Sequence, residues 1–327
     1  MKAMNAIYAQ SGGVTSVINA TACGVIEGAR KSKKINKLYA GKDGIVGILN
    51  EELIDTSLEK YSEIKKLMHT PGGAFGSCRH KLKDFNVNKR EYRRLIDVFQ
   101  AHNIGYFFYN GGGDSQDTTN KIAQYTVDAG FPVTCIGIPK TIDNDLPFTD
   151  NCPGFGSVAK YIATSTKEAA LDVKSMSKSS TKVFILEVMG RHAGWLAASA
   201  GLAKSKENSA PHIILLPEVP FNEKAFLKKV KEVVNKEGYC VIVVSEGTQY
   251  VNGKFLADSG SVDSFGHKQL GGVAPRLAEI INNKLGYKNH WAVSDYLQRS
   301  ASHISSKVDL DQAYAVGKAA VEYASSG

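Results

Sequence analysis

Apolar positions along this chain alternate between two rhythms. Short continuous runs are followed by longer stretches in which apolar residues recur at helical spacing. The run at 5–9 predicts a strand and 14–30 the helix after it. A strand at 106–109 precedes a helix at 115–127, and a strand at 133–138 precedes, after a polar loop, a helix over about 157–170. Residues 183–188 read as a strand and 193–203 as a helix. Segments 212–216, 225–234 and 241–244 repeat the pattern, and a last helix covers 309–325. Strands alternating with helices predict α/β units around a mostly parallel sheet. No internal repeat and no low-complexity segment interrupts them.

Composition changes this picture little. With 327 residues, 43% hydrophobic and 22% charged, the chain has enough material for a large core or more than one domain. The formal charge of +8 suits either a nucleic-acid surface or small anionic substrates. No Lys/Arg block is interleaved with aromatics, and Lys31, Lys33 and Lys34 read as a solvated helix end, so a phosphorylated substrate is favoured and nucleic acid is not. None of the five cysteines lies in a Cys-x-x-Cys pair or at zinc-ligand spacing, and Cys135 and Cys240 are expected to be buried thiols. This usage predicts a reducing, cytoplasmic location. The apolar stretch at 6–9 is too short for a signal peptide, and no run is long enough to span a membrane.

The 31 glycines are more telling, because many follow the strands directly. Ser11-Gly12-Gly13 comes after the first strand, Gly111-Gly112-Gly113-Asp114-Ser115 after the strand at 106–109, and Pro139-Lys140-Thr141-Ile142-Asp143-Asn144-Asp145 after the strand at 133–138. In open α/β sheets, ligands bind beyond the carboxyl ends of the strands, so three such turns predict one shared pocket. Glycines at a helix N-terminus expose N–H groups that favour phosphate. Asp114 and Ser115 would serve equally as a helix N-cap or as groups facing that phosphate. An acid beside a phosphate needs a bridging cation, which implies Mg²⁺.

The third turn carries the most chemistry. A carboxylate beside a sugar hydroxyl can accept its proton as the oxygen attacks phosphorus, and a nearby lysine can offset charge on the transferred group. Asx-turns in a plain polar loop are the competing explanation of Asp143 and Asp145. A fourth glycine-rich loop, residues 72–79, ends in Arg79, a cation suited to bidentate phosphate contact. Met189-Gly190-Arg191 and Glu246 also stand at strand ends, and Arg299 is a further candidate phosphate cation.

Taken in order, Ser-Gly-Gly, Gly-Gly-Ala-Phe-Gly-Ser-Cys-Arg, Gly-Gly-Gly-Asp-Ser, Pro-Lys-Thr-Ile-Asp-Asn-Asp, Pro-Gly-Phe-Gly-Ser, Glu-Val-Met-Gly-Arg, Ser-Glu-Gly and Tyr-Leu-Gln-Arg resemble the phosphofructokinase family from about residue 5 to 325. The resemblance implies two doubly wound three-layer α/β domains with the active site in the cleft between them. Residues 1–154 plus 307–327 would form the phosphoryl-donor domain and 155–306 the sugar-phosphate domain. It implies Asp143 as the base, with Lys140 and Asp114 beside it, and Thr141, Ile142 and Asp145 holding substrate and metal. Lys182, Met189, Gly190, Arg191, Glu246, Tyr296, Leu297, Gln298 and Arg299 would bind fructose 6-phosphate. Gly12, Arg79, Lys140 and Ser115 would line the diphosphate site, with Mg²⁺ on Asp114 and Asp145. Lys182 stands where the family places a cation reaching a neighbouring subunit, implying a homodimer or homotetramer.

Two positions favour pyrophosphate over ATP as donor. ATP-using members of the family carry glycine where Lys140 stands and a small residue where Asp114 stands. A carboxylate there would repel the inner phosphate of a nucleotide. The implied reaction is reversible phosphoryl transfer from pyrophosphate to the 1-hydroxyl of fructose 6-phosphate. An ATP-dependent enzyme and a non-catalytic sugar-phosphate-binding or regulatory subunit are the alternatives. The sequence departs from the pattern at Gly113, where a metal-associated acid is common. It also departs at the last helix, past which relatives continue with at least one more strand and helix, so the first domain is expected to be incomplete.

Overall fold

The computed structural model describes residues 3–262, 268–270 and 272–326. In chain order the elements are β1 (Met4–Gln10), α1 (Ile18–Lys31), β2 (Ile35–Gly41), α2 (Ile45–Leu49), β3 (Leu53–Asp55), α3 (Tyr61–Lys66), α4 (Lys89–Ala101), β4 (Ile104–Gly111), α5 (Gly113–Asp128), β5 (Thr134–Pro139) and α6 (Phe155–Met176). They continue with β6 (Val183–Val188), α7 (Trp195–Ser199), β7 (Ile213–Leu215), α8 (Glu223–Glu237), β8 (Cys240–Ser245), β9 (Asp258–Val262), β10 (Lys268–Leu270), α9 (Val273–Leu285), β11 (Asn289–Val293), α10 (Asp295–Ser300) and α11 (Lys307–Ser326). Two compact units result, one of Met1–Ile142, Leu146–Ser157 and Ser305–Gly327, the other of Asp143–Asp145 and Val158–Ile304. The Pro139–Asp145 turn is therefore divided, with Lys140 and Thr141 in the first unit and Asp143 to Asp145 in the second.

The first unit is built on a sheet of order β3-β2-β1-β4-β5, parallel except for the β2–β3 pair. Alternation along the central strands assigns the layers. Ala6, Tyr8 and Phe108 face α1 and α11, whereas Ile7, Ala9, Phe107 and Tyr109 face α2, α4 and α5. Helix α11 closes on α1 at unusually short range. A Cβ added at Gly24 would lie 2.2 Å from the Tyr314 carbonyl oxygen, and one at Gly317 would lie 2.2 Å from that of Thr21. Only glycine allows these two backbones to touch.

The second unit carries a parallel sheet of order β11-β6-β8-β7. Val183, Ile185, Cys240, Ile242 and Val244 pack on α8 and α9, and Val241 turns the opposite way, toward Ala170 and Val173 of α6. Each unit is thus a three-layer α/β/α sandwich. Among the described residues no helix is long and apolar enough to cross a membrane.

Several local expectations change. Helix α1 begins at Ile18 rather than 14, because residues 15–18 form a turn in which the Val17 N–H points at the Thr15 hydroxyl. The helix expected at 193–203 divides into α7 and a 3-10 turn over Ala200–Ala203. Cys240 is fully buried, but Cys135 is only half-buried because β5 is an edge strand. The pattern had left β2, α4, α9 and β11 unassigned.

Candidate active site

In the first unit the glycine-rich turns meet. Ser11 follows β1, and its hydroxyl accepts a 2.7 Å hydrogen bond from the Ser115 hydroxyl at the start of α5. Ser115 therefore does not cap α5, whose N-cap is Gly112 with no side-chain hydrogen bond. The Gly111 position is as tight, since a Cβ there would lie 2.2 Å from the Ser115 Oγ. The 72–79 loop joins through a parallel bridge between Ser11 and Cys78, and the Gly12 N–H donates to the Cys78 carbonyl at 2.9 Å. The Ser77 hydroxyl donates to the Gly12 carbonyl at 2.7 Å. Arg79, two residues further on, is exposed.

Lys140 completes this corner. Its side chain is 4% exposed, and its ammonium donates to the Gly13 carbonyl at 2.7 Å. The same nitrogen lies 3.4 Å from where a Gly12 Cβ would sit, and Gly12 has φ +74°. Gly12 is thus fixed by conformation: an L side chain would be strained at this φ, while its Cβ would meet the ammonium only at ordinary contact distance. The arrangement places a buried positive charge beside a turn rich in N–H groups, a setting that attracts phosphate oxygens.

Asp114 sits in the first turn of α5, and its carboxylate is 2.6 Å from the Lys81 ammonium. That partner holds the Lys81 pKa above its ordinary value. The neighbouring cation offsets part of the charge expected to repel a nucleotide. No group of three or more His, Cys, Asp or Glu side chains suitable for a metal occurs among the described residues. Asp114 offers one carboxylate, a donor that a hard divalent cation could share with substrate phosphate oxygens and water.

The second unit gathers the sugar-side residues at the carboxyl ends of β6 and β8. Gly190 has φ +119°, and the Ser245 hydroxyl donates to its carbonyl. The Gly247 N–H donates back to the Ser245 hydroxyl at 3.1 Å. Gly247 sits against the Arg191 backbone, where a Cβ would lie 1.9 Å from the Arg191 carbonyl oxygen. The Met189 N–H donates to Gln298 Oε1 at 3.3 Å, tying this corner to α10. Gln298 is buried, while Tyr296 and Leu297 are 60% and 65% exposed. Arg299 lies 3.9 Å from the centre of the Tyr296 ring. The Lys182 ammonium, at the start of β6, donates to the Ser177 carbonyl of its own chain.

Glu246 follows β8 directly, and its N–H donates to the Val188 carbonyl at 2.9 Å. Burial pushes its carboxyl up to about 7, the nearby Asp143 charge adds to this, and Arg191 opposes it. Asp143 and Glu246 therefore share one field. Asn144 between Asp143 and Asp145 has φ +54° and is buried, whereas Asp145 is exposed.

Sequence reasoning missed four supporting residues. Asn19, buried on α1, accepts from the Ala74 N–H and donates to the Thr70 and Gly72 carbonyls, which seats the 72–79 loop. Glu187, buried on β6, accepts from the Gly272 and Ala274 N–H groups at 3.0 and 2.8 Å and fixes the start of α9. Asp309 does the same for α6, and Lys81 pairs with Asp114. For Asn19, Glu187 and Asp309 a polar residue at an apolar helix or strand position was the available signal; Lys81, in a loop, offered none.

A family model described as Phosphofructokinase matches residues 5–324. The chain belongs to the phosphofructokinase family. It is 62% identical over 324 residues to a pyrophosphate–fructose 6-phosphate 1-phosphotransferase of Halomonas elongata, covering 99% of this chain and 77% of that one. It resembles the crystal structure of a pyrophosphate-dependent phosphofructokinase from Marinobacter aquaeolei with TM-score 0.87 and 62% identity, covering 99% and 76% of the two chains. The Nitrosospira multiformis pyrophosphate-dependent phosphofructokinase gives TM-score 0.90 at 58% identity, with 99% and 77% covered. This phosphofructokinase-family chain therefore shares its α/β architecture with close relatives of the pyrophosphate-dependent type.

Proposed function

We propose that this chain is an enzyme that moves a phosphoryl group reversibly between pyrophosphate and the 1-hydroxyl of fructose 6-phosphate. The observation that carries this reading is Lys140, a buried ammonium held on the Gly12–Gly13 turn three residues before a candidate base. Relatives of about 60% identity that bear the pyrophosphate name support it.

In this reading Gly12, Arg79, Lys140 and Ser115 hold the diphosphate. Met189, Gly190, Arg191, Glu246 and Tyr296 to Arg299 hold the sugar phosphate, and Thr141, Ile142 and Asp145 order the loop around it. Asp143 accepts the proton of the 1-hydroxyl as that oxygen bonds to phosphorus, and the bridging P–O bond of the diphosphate breaks. Lys140 stays opposite the charge gathering on the transferred group and on the departing phosphate. Mg²⁺, held by phosphate oxygens with Asp145 or Asp114, would neutralise diphosphate charge when bound. Lys182 would meet the sugar phosphate of a neighbouring copy in a homodimer or homotetramer. The five cysteines, all free, fit a cytoplasmic setting.

Lys140 also bears on the donor. An ammonium packed against Gly12 takes the room a glycine would leave for a bulkier phosphate chain, so the site favours the smaller donor. The test is purified protein with fructose 6-phosphate and Mg²⁺, pyrophosphate against ATP, following fructose 1,6-bisphosphate. Turnover with pyrophosphate that Asp143→Asn abolishes is expected. Turnover with ATP alone refutes the donor assignment, and near-normal kcat in Asp143→Asn refutes the base.

A further inference from the structure

We propose that Asp309 is a positioning residue for the transfer loop, holding Thr141 and Lys140 in register through Gly154; this rests on the reaction proposed above. Asp309 lies in the first turn of α11, far along the chain from the loop, and its side chain is 1% exposed. Its two oxygens accept three hydrogen bonds: from the Gly154 N–H at 2.9 Å, the Ser157 N–H at 2.9 Å and the Ser157 hydroxyl at 2.6 Å. A carboxylate so buried is costly unless its lone pairs are filled, and here they are filled by one short segment at the start of α6. The Ser157 oxygen in turn accepts from the Ser306 N–H at 3.1 Å, so the starts of α6 and α11 clasp each other.

The clasp reaches the loop through Gly154. Its backbone forms a parallel bridge with Thr141. Gly154 has φ +112°, and a Cβ there would lie 2.6 Å from the Thr15 side chain. The strand of contact runs Asp309, Gly154, Thr141, with Lys140 the preceding residue and Asp143 two residues beyond. The members lie close together, since a Cβ on Gly154 would also meet the Thr141 carbonyl oxygen at 3.4 Å. A shift of residues 152–157 therefore unpairs Thr141 and moves the ammonium off the Gly12 turn. Each of these three bonds comes from an N–H or O–H donor, so the carboxylate's acceptors hold the register.

The test is Asp309→Asn in the full chain. Asn keeps the shape but turns one acceptor into a donor facing other donors. With wild type as the control, kcat is expected to fall roughly 10- to 100-fold, the range expected for a loop misplaced by about 1 Å. The KM for fructose 6-phosphate stays within threefold, and amide hydrogens of residues 139–145 exchange faster. A lower Tm with unchanged kcat per folded molecule and unchanged exchange overturns the proposal, since a purely structural bolt gives that result. If Asp309→Asn does not fold, Ser157→Ala decides: a threefold or larger loss of kcat supports the proposal and none overturns it. A wild type inactive with pyrophosphate defeats the functional reading instead, and the amide exchange of the variants then decides this one alone.

Discussion

Gly247→Ala is the sharpest single perturbation of the sugar side. The added Cβ would sit 1.9 Å from the Arg191 carbonyl oxygen, 2.6 Å from its carbon and 2.9 Å from the Arg191 Cα. Ordinary contact begins near 3.4 Å, so the Arg191 backbone must retreat by about 1.5 Å, the difference between 3.4 and 1.9. Gly247 itself cannot yield, because β8 is fully buried and the Ser245 hydroxyl bonds both the Gly190 carbonyl and the Gly247 N–H. Overpacking of this kind costs about 1–3 kcal/mol of stability. Losing one charged contact to the sugar phosphate costs roughly 1.5–3 kcal/mol, or about 10- to 150-fold in affinity. Steady-state kinetics should show the KM for fructose 6-phosphate rising at least tenfold while that for pyrophosphate stays put, because the donor residues belong to the other unit. A sugar KM within twofold of wild type, in a variant whose Tm has fallen, would refute the placement of Arg191 in the sugar site.

Three further outcomes are expected. Lys140→Gly should lower kcat/KM for pyrophosphate about 100-fold or more, as loss of one preorganised donor does; unchanged kcat/KM removes Lys140 from the site. Glu246 holds its proton more tightly folded than unfolded, so its contribution is present below about pH 4.5 and is lost as pH rises through about 7, amounting to roughly 2–3 kcal/mol. Glu246→Gln should flatten that part of the stability profile, read by thermal melts between pH 5 and 8, and an identical profile contradicts the shift. Gly317→Val drives a side chain into the Thr21 carbonyl of α1 and should cost at least about 2–3 kcal/mol in urea unfolding.

What the sequence made legible follows a physical line. Strands β1, β4, β6 and β8 were readable because central parallel strands are apolar on both faces and run without interruption. The turns after them were readable because phosphate chemistry needs glycine and charge next to a strand end. The edge strands β5 and β7 still showed as short apolar runs, but the edge strand β11 did not: it is mostly exposed, so its pattern resembles a loop. Helix α4 buries only Tyr92, Leu95, Ile96, Val98 and Phe99 among many charges, which hides its apolar stripe. Lys81, Glu187 and Asp309 act on groups reached only through the fold, and Asp309 meets Gly154 across 155 positions of chain. Pairings at that separation leave no local mark.

The glycine seam between α1 and α11 has a consequence for the newborn chain. The surface of α1 that carries Gly24 and Gly28 has its packing partner far along the chain, and Lys307 follows Lys31 by 276 positions, the difference of their numbers. At about 5–20 residues per second, a ribosome needs roughly 15–60 s to supply that partner. During that interval β1 and β4 can pair, α4 can cover one face of their sheet and α1 part of the other, but the apolar cluster that includes Ala22, Val25 and Ile26 of α1 still awaits α11. The face of α1 that carries the seam thus stays open to misassociation at least until α11 arrives.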